Sequence, residues 1–112
     1  MDIERRQFPR VTLICKISTV FGERLLVFNS HTENVGVGGI KVILEEKLHI
    51  ATEVEVELLL QDIEKPLKCK GQIIWVKELG PAGIKPCFFD TGIKFIEMSS
   101  SNQEALKKTV DA

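Results

Sequence analysis

The chain carries almost no net charge, one tryptophan, no tyrosine, only three cysteines and no long apolar run. Each shortage excludes something. Fifteen basic residues against sixteen acidic ones leave a formal charge of −1, which argues against a nonspecific nucleic-acid binder, since such proteins present a strongly basic face. Few aromatic side chains also disfavour a small barrel that binds RNA by stacking its bases. Cys15, Cys69 and Cys87 are odd in number, widely spaced and free of any CxxC pairing. Neither a disulfide framework nor a zinc site follows, and reduced, partly buried thiols are expected. The first residues are charged, and no run approaches the roughly eighteen apolar residues that span a bilayer, so the expectation is a soluble cytoplasmic protein without membrane insertion. No catalytic triad, Walker loop, metal motif, internal repeat or low-complexity segment occurs. The chain therefore does not read as an enzyme, and it calls for no metal or cofactor.

What is present is strand periodicity. At 112 residues the chain fits one domain, 1–112, large enough to bury a core unaided. Residues 1–10 lack apolar periodicity and contain Pro9, which disfavours helix at Phe8, so they read as an extended arm. Over 11–17, Val11, Leu13, Cys15 and Ile17 alternate with polar neighbours, as in a first strand. Gly22 and Glu23 mark a turn, 24–32 is β-prone, and 40–44 resumes alternation. The clearest signal is 53–60, where Val54, Val56, Leu58 and Leu60 share one face and three glutamates occupy the other. Leu67, Cys69, Ile73 and Trp75 continue this style, with Gly71 marking a bulge or bend. A loop holds Pro81, Gly83 and Pro86, and in the last strand, 88–96, Thr91, Ile93 and Phe95 face one way. Many short strands with almost no helix between them favour a small antiparallel barrel of about six strands over residues 11–97. Ser101 to Glu104 has capping-box spacing, serine as N-cap and glutamate at N3, so a short helix is expected over 101–110 with Leu106 and Val110 packed on the barrel.

Two polar clusters stand out from this frame. Arg5, Arg6 and Arg10 fall inside six residues, and Asn34, Gly36, Gly38 and Gly39 form a glycine-dense turn. They bracket one strand-like segment and so are able to meet in space. Guanidinium forks suit phosphates and the O6/N7 edge of guanine, an asparagine both donates and accepts, and glycines let a ligand approach the backbone. A compact, anionic, guanine-containing ligand fits the set. Taken singly, the arginines also read as a solvated tail and Asn34 with its glycines as hairpin punctuation. His31 and His49 read as surface or strand histidines, Asp90 and Glu97 as solvated carboxylates, and Trp75 as a core or interface residue.

The two clusters in this order resemble the PilZ domain family of bacterial cyclic di-GMP receptors, whose pattern is RxxxR followed by [D/N]xSxxG. Arg6 and Arg10 match the first motif, and Asn34 and Gly39 match the ends of the second. Gly36 stands where the family has serine. The likeness extends to chain length, strand succession, the Gly-Gln-Ile-Ile-Trp run at 71–75, the Thr-Gly-Ile-Lys-Phe run at 91–95 and the terminal helix. It implies an all-β, PilZ-like antiparallel barrel with a C-terminal helix, acting in second-messenger signalling of the kind linked to motility and biofilm. By position, Arg6 and Arg10 would hold guanine edges and phosphates, Asn34 would hydrogen-bond guanine, Gly36 and Gly39 would lie against the ligand, and Arg5 would favour an intercalated pair of ligands. The arm would order on the ligand and expose a new surface to a partner protein. A homodimer, ligand-linked or constitutive, is compatible with this. The other reading is a diverged adaptor that binds a protein partner and no nucleotide.

Overall fold

The computed structural model describes residues 13–60, 65–80, 83 and 87–111. Six strands form: β1 Ile14–Phe21, β2 Arg24–Val35, β3 Gly39–Leu44, β4 Glu53–Leu59, β5 Leu67–Leu79 and β6 Phe88–Glu97; the helix α1, Ser100–Asp111, follows. They close into a barrel in the order β1-β2-β3-β6-β5-β4, with β4 returning to β1 and every neighbour antiparallel. Closure pairs the strands on both sides and leaves one interior to fill.

The alternating residues fill it. Leu13, Cys15 and Ile17 from the first strand region, Ile40, Val42 and Leu44 from β3, Val54, Val56 and Leu58 from β4, with Leu60 beyond its end, and Ile73 and Ile93 from β5 and β6 are all buried. The outward positions between them include Lys16, Lys41, Glu55 and Glu57, while Ile14 and Leu59 face outward as exposed apolar residues. The first strand differs from its expected span. Residues 11 and 12 lie outside the described residues, and β1 continues past Ile17 to Phe21 because β2 supplies a partner along its whole length, down to Phe21 opposite Arg24. Gly22 closes that hairpin with φ of +64°, the left-handed conformation that the first residue of a tight two-residue hairpin turn requires.

Three register shifts bend the barrel wall. Glu33 is an extra residue in β2, between Thr32 opposite Val42 and Asn34 opposite Lys41. Beside Gly71 the extra residue lies on β6, at Ile96; farther along, Ile74 is the extra residue of β5. Gly71 is enforced by packing, since a Cβ there would sit 2.5 Å from Ile93 Cγ2. Burial pushes the Cys15 thiol up to about 11, and burial with the Glu55 charge does the same for Cys69. Both are neutral core residues rather than nucleophiles.

The helix begins earlier than its sequence predicts. Ser99, not Ser101, is the cap: its hydroxyl accepts the Asn102 N–H at 3.2 Å, and its carbonyl accepts the Gln103 N–H at 2.9 Å. Asn102 thereby takes the third helical position in place of Glu104, and its side-chain amide donates to the Lys68 carbonyl at 3.0 Å, tying α1 to β5. Leu106 is fully buried in the barrel core, with Ala105 and Val110 packed against it. Among the described residues, no helix is long and apolar enough to cross a membrane.

Candidate functional site

The β2–β3 connection is built by the glycine cluster. Asn34 and Val35 end β2, Gly39 begins β3, and the Gly36 N–H donates to the Gly39 carbonyl at 2.9 Å to close the turn. The Phe95 N–H donates to the Gly38 carbonyl at 2.9 Å, fastening the turn to β6. Among these glycines only Gly39 is demanded by geometry, because a Cβ there would overlap the Ile93 carbonyl oxygen. Gly36 and Gly38 have ordinary φ, and a Cβ on either would meet nothing within 4 Å. Their lack of side chains opens the surface instead.

From this turn a row of side chains crosses four strands on the outer face. Asn34 is the Cα partner of Lys41, Lys41 of Gly92, and Gly92 of Trp75. Gly92 leaves a gap that the Trp75 indole covers, so closely that a Cβ at 92 would overlap its Nε1. These residues, with Gly36, Gly38, Gly39 and the next outward cation, Lys94, line an open cavity of about 390 Å³. Small-molecule sites begin at about 300 Å³.

Trp75 corrects the sequence reading. It stands at the surface, 37% exposed, rather than inward beside Ile73. The cause is the extra residue Ile74: one inserted residue reverses the parity, so Ile74 and Trp75 both face out and Val76 takes the next inward place. Asp90 is a second correction, since it is 9% exposed within β6 rather than solvated. Its Oδ2 lies 3.2 Å from Lys41 Nζ, while Oδ1 is buried without a hydrogen-bond partner among the described residues. Lys41 Nζ also lies 3.8 Å from Glu33 Oε1 and 5.9 Å from the Trp75 ring centre. Glu97 is exposed and pairs with Lys70 at 3.6 Å.

Of the residues expected at a site, Asn34, Gly36 and Gly39 come together along this cavity. Arg5, Arg6 and Arg10 lie outside the described residues. The structure adds Lys41, Trp75 and Gly92, which the sequence did not mark as site residues, although Trp75 and Gly92 lie in the family-like runs at 71–75 and 91–95. His31 and His49 are exposed and far apart in sequence, and among the described residues no three His, Cys, Asp or Glu side chains converge as a metal site.

Solved structures share this barrel. The PilZ domain of Escherichia coli YcgR, determined with c-di-GMP, superposes with a TM-score of 0.62 at 16% identity over 95% of this chain and 88% of that one. Bacillus subtilis MotI/DgrA, an inhibitor of motility, gives 0.66 at 18% identity over 96% of this chain. MrkH of K. pneumonia gives 0.66 at 10% identity over 87%. The chain spans about half of the latter two, 50% and 43% respectively. No curated protein sequence matches it. The sequence profile of the PilZ domain, however, matches residues 4–112, nearly the whole chain. With the closed six-stranded barrel and its C-terminal helix, that match establishes that the chain belongs to the PilZ domain family.

Proposed function

We propose that this protein is a cytoplasmic cyclic di-GMP receptor that signals to a partner protein. The observation that carries the reading is the outer-face row Asn34, Lys41, Gly92, Trp75 beside an open glycine turn. It offers an amide for a guanine edge, a cation for phosphate and an indole on which a base stacks. The family match and the YcgR domain determined with c-di-GMP support the choice of ligand.

The arm supplies the remaining charge. Leu13, where the described chain begins, is held to Thr32 by reciprocal bonds: the Thr32 N–H donates to the Leu13 carbonyl at 2.8 Å, and the Leu13 N–H donates to Thr32 Oγ1 at 2.9 Å. Thr32 is two residues from Asn34, and Arg10 is three from Leu13. Three residues reach about 10 Å. Arg10 is thereby tethered within reach of a dinucleotide lying against Asn34, the seven residues from Leu13 to Arg6 allow up to about 25 Å, and Arg5 can stack on a second guanine. Ordering of the arm on the ligand creates the surface that the partner reads, to the extent that the ligand's affinities for the two arm states differ.

Calorimetric titration with cyclic di-GMP, beside an Arg6→Ala control, tests this. Saturating heat is expected from the wild type, with affinity weakened roughly 5- to 150-fold in the control, because an arginine fork on guanine contributes about 1–3 kcal/mol. A stoichiometry of two ligands per chain is the outcome expected of Arg5. Silence from a folded wild type would leave the nucleotide-free adaptor as the reading.

Gly36→Ser supplies the family hydroxyl at a position with open space and ordinary φ. It should tighten binding by a few-fold to roughly tenfold, the yield of one neutral hydrogen bond. Its melting temperature should match the wild type within about 2 °C, since the added Cβ touches nothing. Unchanged affinity would show that the ligand does not pass this side of the turn.

A further inference from the structure

We infer that Lys41 is the phosphate-binding cation of the barrel face, and that it is set between two carboxylates with opposite roles: Asp90 positions it, and Glu33 competes with the ligand for it. The inference rests on the cyclic di-GMP reading. Lys41 occupies the centre of the row, between Asn34 and Gly92, and lines the cavity. Its side chain is 39% exposed, so an incoming anion reaches it without rearrangement.

Asp90 is suited to holding it. Its side chain is only 13% exposed, its Oδ2 is 3.2 Å from the ammonium, and it stands diagonally across the β3–β6 ladder, where Asp90 is the Cα partner of Ile43. A buried carboxylate with one oxygen unpartnered is costly in a fold and persists where something depends on it. Here the dependent group is the ammonium. Fixed against Asp90 and near the Trp75 ring, it points into the cavity instead of roaming on its flexible stem.

Glu33 differs in both distance and setting. It is the extra residue of β2, so it faces outward next to Asn34, where regular alternation would have turned one of the two inward. Its carboxylate is 3.8 Å from Lys41 Nζ, with a side chain 40% exposed. Solvent already screens that contact, so a phosphodiester oxygen displaces it at small cost. The Asp90 contact persists, and the ammonium bridges carboxylate and phosphate.

The experiment measures cyclic di-GMP affinity, by calorimetry on the folded full chain, for Lys41→Met, Asp90→Asn, Glu33→Gln and the pair Lys41→Met with Asp90→Asn. Lys41→Met should weaken binding roughly ten- to a hundred-fold, as loss of a charge-assisted bond does. Asp90→Asn should weaken it and Glu33→Gln should tighten it by a few-fold. Opposite signs decide the matter, because both substitutions delete a negative charge near an anionic ligand and simple repulsion predicts tightening from both. In the Lys41→Met background, where nothing is left for Asp90 to position, Asp90→Asn should no longer weaken binding. Equal cost in both backgrounds, tightening by Asp90→Asn, or wild-type affinity in Lys41→Met would each overturn the inference while the wild type still binds. A wild type that binds no cyclic di-GMP removes the underlying reading, and the inference with it. Thermal melts of each variant separate a loss of fold from a loss of affinity.

Discussion

Gly39→Ala should lower the melting temperature by about 10 °C, a large change for one methyl group. The added Cβ would overlap the Ile93 carbonyl oxygen and lie 3.2 Å from Lys94 Cα and 3.3 Å from the Ile93 carbonyl carbon. All three are main-chain atoms of β6, so no side chain can turn aside to make room. Relief requires β3 to back away from β6, where Gly39 is paired with Lys94 and the adjacent Gly38 carbonyl accepts the Phe95 N–H. Overpacking of this kind costs about 1–3 kcal/mol, and backbone against backbone belongs at the upper end. For a domain of this size each kcal/mol shifts the midpoint by about 4 °C. Thermal melting followed by circular dichroism checks it, with Gly38→Ala as the neighbouring control. That substitution meets nothing within 4 Å, and its midpoint should stay within about 3 °C of wild type, aided by the lower entropy of its unfolded chain. If the two variants melt alike, the close approach of β3 to β6 at Gly39 is not what the fold depends on.

Gly92→Ala should give the reverse pattern, a small loss of stability and a large loss of ligand affinity. A Cβ at 92 overlaps the Trp75 Nε1 and lies 2.5 Å from its Cε2 and 2.8 Å from its Cδ1. The atoms in the way belong to a partly exposed ring, 37% accessible, which can rotate off the surface without disturbing the ladder. The fold tolerates the change, but the row loses its stacking face and Lys41 loses the ring near it. A base stacked on an aromatic side chain contributes about 1–3 kcal/mol, so cyclic di-GMP affinity should fall roughly 5- to 150-fold. Trp75 is the single tryptophan and there is no tyrosine, so intrinsic emission reports this ring alone. Gly92→Ala should red-shift that emission, and ligand should quench it in the wild type but not in the variant. Wild-type affinity in Gly92→Ala would remove Trp75 from the binding surface.

The barrel was legible in the sequence because its strands obey a period of two wherever one face is buried. Val54, Val56, Leu58 and Leu60 are all buried, as their alternation with the glutamates predicts, and Leu106 enters the core from the expected helix. The failures share one cause, which is that periodicity carries no information about inserted residues or about what lies across the barrel. Ile74 reverses the parity of β5, and so an indole that strict alternation puts on the face of Ile73 stands outside. Asp90 looks like any surface acid until Lys41, 49 positions earlier, is placed diagonally across from it. The helix start was displaced for a similar reason. Ser99, Ser100 and Ser101 offer equivalent hydroxyls in sequence, and the bond from Asn102 to Lys68 on β5 accompanies the choice of Ser99. At the candidate site, Asn34 and Gly39 are marked by their spacing in the sequence, whereas Lys41, Trp75 and Gly92 join the same row only through the ladder.

That row has a consequence for how the protein folds. Its members come from β2, β3, β6 and β5, and the ladders between β3 and β6 and between β5 and β6 must both be in place before Lys41, Gly92 and Trp75 become neighbours. The β2–β3 hairpin alone holds Asn34 and Lys41 and nothing to stack on. A ligand that recognises the whole row therefore recognises only the completed barrel. Its binding energy adds to global stability by mass action, about 2.7 kcal/mol at a hundredfold excess over Kd. On the cyclic di-GMP reading proposed above, the messenger would also set how long each molecule survives in a cell against unfolding and proteolysis.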